Sequence, residues 1–221
     1  MINLILKNFK LVDKKSYFVI LFGLFISIFF QKILSTDAAY LISILMIAYS
    51  LSLYSAGYDE RYKTEIVLNS LPIKRYYIVI AKYTSILLFI LAGFLIIFLG
   101  NFLLKTVGVS FITRCPNFND LIFAFIILGT LNSILIPINY KYGPNTVRAI
   151  NSILFLVFLL GPELLVNHLK NNPDSKYANI IFNFLRSGHV FKMLFPTLVT
   201  VFIIIISIGI SISVYNNKEF Y

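Results

Sequence analysis

Residues 83–104 read YTSILLFILAGFLIIFLGNFLL, 22 consecutive positions without a charged side chain. A helix rises about 1.5 Å per residue, so roughly 20 mostly apolar residues cross the hydrocarbon core of a bilayer. A lipid-facing β-strand alternates in polarity over about ten residues, and this run does not alternate. It predicts a membrane-spanning helix. Working outward, five further stretches meet the same criterion: Ser16–Leu34, Ala38–Ala56, Leu121–Tyr140, Ala149–Val166 and Met193–Tyr215. Lys32, near the end of the first, is long enough to snorkel. Composition agrees. Of 221 residues, 59% are hydrophobic and 13% charged, with a mean hydropathy of +0.87, whereas a soluble domain is roughly 45–50% apolar and about 25% charged. A soluble enzyme would have no interior for this excess, and a chain with 22 Phe and 14 Tyr is far from the disordered class. The expected fold is an all-α integral membrane protein, a six-helix bundle forming one membrane domain over residues 1–221.

The pieces between spans carry the orientation. Lys7, Lys10, Lys14 and Lys15 precede the first apolar run, which superficially resembles a signal peptide. That run is too long for an h-region and no small-residue cleavage site follows it, so Ser16–Leu34 is expected to be retained. Within residues 1–15, Ile2, Ile5, Leu6, Phe9 and Val12 recur on one helical face, and Asn3, Lys7, Lys10 and Lys14 on another. This pattern suits a helix lying in the membrane interface; the plainer alternative is a basic flank to the first span. With both termini inside, twelve of the nineteen Lys and Arg residues fall on the cytoplasmic face, the asymmetry of the positive-inside rule. The outer loop 167–192 is basic as well and obeys the rule less well. The formal net charge of +10 fits anionic lipid headgroups as partners. Nucleic acid is excluded as a partner, because the cations are scattered and form no basic motif.

The stretch between the second and third spans, DERYKTEIVLNSLPIKR at 59–75, is the most informative. It begins with charges, holds a short amphipathic segment and breaks at Pro72. Proline disfavours helical geometry in the residue before it, so a helix over about Thr64–Asn69 should stop near Leu71, and a second could restart at Pro72. Ile66, Val67, Leu68 and Leu71 are costly to leave in water. They either rest on the bilayer surface or dock into a soluble partner. A second compact basic feature lies between the fourth and fifth spans at Lys141–Arg148, with a Gly143-Pro144 turn. The long outer loop 167–192 has turn signals at Asn172-Pro173-Asp174 and a helical-looking Lys176–Leu185. A lone Cys115 in the loop before the fourth span has no intrachain disulfide partner.

Inside the spans, small residues recur at four-residue spacing: Gly23 and Ser27, Ala48, Ser52 and Ala56, Gly129 and Ser133, Ser207 and Ser211. Such seams let helices approach closely where lipid removes the hydrophobic drive. Asn101, Asn132 and Asn151 are expected to bond between helices rather than to hold substrate. The chain has no Gly-x-x-x-x-Gly-Lys-Ser/Thr loop, no His-Glu-x-x-His and no nucleophile elbow. No catalytic, cofactor or metal residues are therefore assigned, and His168 and His189 both fall in the outer loop. Glu163 is the lone carboxylate within a span. It is the candidate for an outer gate or for ion coupling, with solvation near the span's end as the alternative. The readings that remain open are a transporter subunit driven from its cytoplasmic loops, a non-transporting membrane scaffold or peptide-immunity protein, and a secondary carrier.

Three places resemble the membrane subunits of bacterial type-2 ABC exporters, in particular phenol-soluble modulin exporter permeases. They are Leu4-Ile5-Leu6-Lys7-Asn8-Phe9; Asp59-Glu60-Arg61 with Glu65, Leu68-Asn69-Ser70-Leu71-Pro72 and Lys74-Arg75; and Pro137 with Tyr140-Lys141-Tyr142-Gly143 and Arg148. The resemblance implies the type-2 ABC exporter fold with an opening interfacial helix and a cytoplasmic coupling helix. By it, Glu65, Ile66, Leu68, Leu71, Pro72 and Arg75 couple to an ATPase, and Lys141, Gly143 and Arg148 form the second cytoplasmic contact. It further implies a separate ABC ATPase subunit binding ATP and Mg, a second permease subunit (identical or not), and location in the bacterial cytoplasmic membrane. The implied cargo is amphipathic peptides such as modulin-like toxins or antimicrobial peptides. The long basic outer loop departs from the family pattern.

Overall fold

The computed structural model describes residues 4, 5, 7, 21–25, 27–29, 36–106, 115–151, 153, 154, 157 and 189–218. Its principal elements are α1 (Thr36–Arg61), α2 (Thr64–Ser70), α3 (Arg75–Thr106), α4 (Phe118–Tyr142) and α5 (His189–Asn216). Four of these, α1, α3, α4 and α5, are long and apolar enough to cross a membrane. The described residues of 21–29 are helical, as are 144–151. The remainder of the expected first and fifth spans lies outside the described residues. So do most of the interfacial helix 1–15, Glu163, His168 and the outer loop up to residue 188.

The helices outrun their apolar stretches. α1 continues past Ala56 through Gly57 to Arg61, and α3 begins at Arg75, two turns before Tyr83. Hydrophobicity marks where lipid ends, whereas a helix continues until its backbone is capped or broken. α4 begins at Phe118 because Asn117 and Asp120 form a capping box, with the Asn117 N–H donating to Asp120 Oδ2 at 2.8 Å. The first residue of α5, His189, is helical and does not belong to a loop. Nor does a helix restart at Pro72. The Ile73 N–H turns back to the Leu71 carbonyl at 2.7 Å, and helix resumes at Arg75.

Unlike a soluble bundle, this one is apolar outside as well as inside, and polar side chains lie among its buried Ile44, Phe89 and Ile97. Ser43, Ser85, Asn101, Ser207 and Ser211 are buried, while Leu198, Phe202 and Ile205 of α5 are among the most exposed side chains. Lipid tails are as apolar as leucine, so the bundle is held by close backbone approach and polar contacts. α5 packs mainly on α4, and α1 mainly on α3. The small-residue seams lie in these contacts. A side chain at Gly93 would meet the Ile44 carbonyl and Ala48, one at Gly129 would meet Ile204, and Ser207 donates to the Ser133 carbonyl at 2.5 Å. The asparagines divide between bonds within a helix and, as expected, a bond between helices. Asn101 and Asn132 donate to carbonyls one turn back in their own helices, Ile97 and Leu128, while Asn151 reaches Tyr49 of α1. A carbonyl four residues back is always within reach of a helical side-chain amide, whatever the neighbours.

Candidate functional site

One end of the bundle gathers the end of α1, all of α2, the start of α3, the end of α4 with residues 143–151, and the end of α5. α1 stops at Arg61 and the chain turns through Tyr62 and Lys63. Lys63 sits in the left-handed region at φ 47°, a conformation that costs a non-glycine residue roughly 1–2 kcal/mol. The turn is stitched by the Lys63 N–H to the Glu60 carbonyl at 3.2 Å and by Thr64 Oγ1 to Asp59 Oδ1 at 2.8 Å. Asp59 also receives Lys7 Nζ at 2.7 Å and Lys82 Nζ at 2.5 Å. One carboxylate thus ties the opening segment, α1, α2 and α3 together.

α2 is seven residues long, from Thr64 to Ser70, and buries none of them fully. Its two faces are sorted opposite to a core helix. Glu65, Leu68 and Asn69, spaced three and four apart, turn inward and are half-buried; Leu68 packs against the core. Glu65 accepts from Lys218 Nζ at 2.9 Å, and Asn69 donates to Tyr215 Oη at 2.8 Å. Ile66, Val67 and Ser70 face away from the bundle with Leu71 and Pro72, and all five are exposed. Arg75 lies behind α2 and donates to the carbonyls of Asn216 at 2.6 Å, Lys218 at 3.3 Å and Tyr215 at 3.4 Å.

The second loop joins the same end. α4 closes on Gly143, whose φ of 83° suits glycine, with its N–H on the Asn139 carbonyl at 2.9 Å. Lys141 is exposed, and Arg148 pairs with Glu60 at 2.5 Å. Between the two loops lies a cavity of about 680 Å³, with Leu53, Ile78, Ile136 and Tyr140 on its apolar walls and Asp59 and Lys82 among its charged lining. Among the described residues no cluster of His, Cys, Asp and Glu could hold a metal ion.

The sequence profile of the ABC-2 family transporter proteins matches residues 3–216. The chain belongs to the ABC-2 transporter family. No curated protein and no solved structure matches it. ABC-2 chains are the multi-pass membrane components of ABC transporters and are not themselves catalytic; ATP hydrolysis belongs to a separate subunit. In this ABC-2 chain the six residues singled out around 64–75 fall into two groups. Ile66, Leu71 and Pro72 face outward, whereas Glu65, Leu68 and Arg75 fasten α2 to the bundle. Lys141, Gly143 and Arg148 lie at the same end; Glu163 falls outside the described residues. Sequence reasoning assigned no site role to Asp59, Lys82, Asn69, Tyr215 or Lys218. The pairs Asp59–Lys82, Asn69–Tyr215 and Glu65–Lys218 span 23 to 153 positions in sequence, and no local spacing signals them.

Proposed function

We propose that this ABC-2 chain is the permease subunit of an exporter and that the outward face of α2 docks a separate ATPase subunit. One observation supports this above the others: α2 satisfies its polar face within the bundle and turns Ile66, Val67 and Leu71 away from it. These side chains lie beyond the apolar spans, on the end that holds the ion pairs of Asp59, Glu60 and Glu65, where a soluble subunit has access. Burying each in a partner's groove is worth roughly 1.5–3 kcal/mol. In this reading the α2 end and both termini face the cytoplasm. ATP and Mg are bound by the ATPase subunit, and this chain contributes the path. Closure of a pair of ATPase subunits shifts a pair of permease subunits between two arrangements, because the docked partner contacts α2 differently in each. The cargo class that fits the resemblance to phenol-soluble modulin exporters is amphipathic, membrane-active peptides, exported outward.

Ile66→Asp tests the docking face. A charge at the centre of a docked apolar patch should cost about 2 kcal/mol or more, roughly a 30-fold loss of affinity. Co-purification of a co-expressed ABC ATPase subunit should fall accordingly. Normal co-purification and normal ATP-driven transport by the variant would sink the docking assignment. Leu68 is the wrong residue for this test, because it packs inward and its loss disturbs the fold.

A further inference from the structure

Packing alone does not hold α2, since none of its residues is fully buried. Polar ties to the C-terminal end of α5 do much of that work. Lys218 grips Glu65, Tyr215 accepts from Asn69, and Arg75 caps the carbonyls of Tyr215 and Asn216 at the end of α5 and of Lys218 just beyond it. The last carbonyls of a helix lack intrahelical donors, and a guanidinium there also meets the negative end of the helix dipole.

The ties continue into the membrane along one face of α5. Thr200, Ser207, Ser211 and Tyr215, spaced seven, four and four apart, are all buried. Tyr83 of α3 bridges Ser207 and Ser211 at 2.5 and 2.9 Å, Ser207 donates to the α4 carbonyl of Ser133, and Tyr140 of α4 meets Tyr215 edge-on at 4.8 Å. α5 is thereby fixed in register to both α3 and α4. On its other side α2 leaves α1 through a two-residue turn at Tyr62 and Lys63.

We propose that the C-terminal end of α5 is a latch that sets the position of α2, and that displacement of α2 enters the bundle through α5. Lys218, Tyr215 and Arg75 are then positioning residues for coupling, distinct from the exposed residues that touch the ATPase. The proposal rests on the reading of α2 as the docking helix.

Charge exchange tests it in the full complex reconstituted with its ATPase. Glu65→Lys and Lys218→Glu each place like charges together. Each should lower ATP-driven uptake of a fluorescent amphipathic helical peptide into inside-out vesicles by about tenfold, within the usual range of coupling energies. ATPase co-purification should change by less than about twofold, because the docking face is untouched. The double exchange should return uptake to within about threefold of the original, and Lys218→Arg should retain it, since both restore an opposite-charge pair. Tyr215→Phe, which deletes one hydroxyl and keeps the ring on Tyr140, is the milder variant and should lower uptake about two- to threefold. Single exchanges that transport normally overturn the latch, as does a double exchange no better than the singles. Loss of ATPase binding in parallel with uptake overturns it too, since the defect then lies in docking. An original complex that fails to bind the ATPase removes the docking reading and the latch together.

Discussion

Asp59 and Glu60 are neighbours on the last turn of α1, and both are ion-paired, but their surroundings differ. The Asp59 side chain is 18% exposed and its two lysines 26% and 19%, whereas Glu60 and Arg148 are 32% and 66% exposed. Solvent screens the second pair, and exposed pairs contribute about 0–1 kcal/mol. Removing the Asp59 charge leaves two half-buried ammonium groups facing each other and unties Thr64 as well. Asp59→Asn should therefore lower stability by about 2 kcal/mol or more, and Glu60→Gln by less than about 1 kcal/mol. Thermal unfolding of the purified protein in detergent measures both. Equal effects would mean that the Asp59 cluster is as solvated as its neighbour and does not organise the α2 end.

Close approach of α1 and α3 depends on the absence of a side chain at Gly93, where a Cβ would lie 3.2 Å from the Ile44 carbonyl and 3.5 Å from Ala48. A backbone oxygen cannot step aside as a flexible side chain can. Gly93→Val should overpack this contact and cost about 1–3 kcal/mol, whereas Gly209→Ala, which meets nothing within 4 Å, should be neutral or stabilising by up to about 1 kcal/mol. If both variants melt together with the parent in detergent, the α1–α3 contact is looser than drawn. Much at this scale was legible beforehand. The apolar cores of the four described long helices, the seams at Ala48, Gly129, Ser133 and Ser207, and the stop of α2 at Leu71 follow from length, spacing and proline chemistry. The ends of helices were less legible, because Gly57–Arg61 is polar enough to pass for loop and the charge of Lys82 interrupts the apolar run of α3, and yet both segments are helical. The Asn117–Asp120 capping box was in plain view but gives way to hydropathy when spans are counted. The amphipathic character of α2 was legible, but the inward turn of Glu65 and Asn69 with Leu68 was not, because it depends on Tyr215 and Lys218 arriving from the far end of the chain.

The described residues are electrically lopsided along the helix axes. Among the described residues Lys7, Arg61, Lys63, Lys74, Arg75, Lys82, Lys141, Arg148 and Lys218 belong to the α2 end, while Lys105 at the end of α3 and Lys192 at the start of α5 lie at the opposite side. Each basic group near an anionic cytoplasmic leaflet gains about 1 kcal/mol, and translocating a basic loop is disfavoured, so the asymmetry favours one insertion over its mirror image by several kcal/mol. α2 should face the cytoplasm. The lone Cys115, just before α4 and therefore at the end opposite α2, is a built-in reporter. A membrane-impermeant maleimide applied to intact cells should label it, while Lys63→Cys in a Cys115→Ser background should react only after permeabilisation. The reverse pattern would put Ile66, Val67 and Leu71 on the side where no ATP-hydrolysing subunit resides. The docking role of α2 would then fail regardless of how well its apolar face suits a partner, so orientation decides the function as much as the site does.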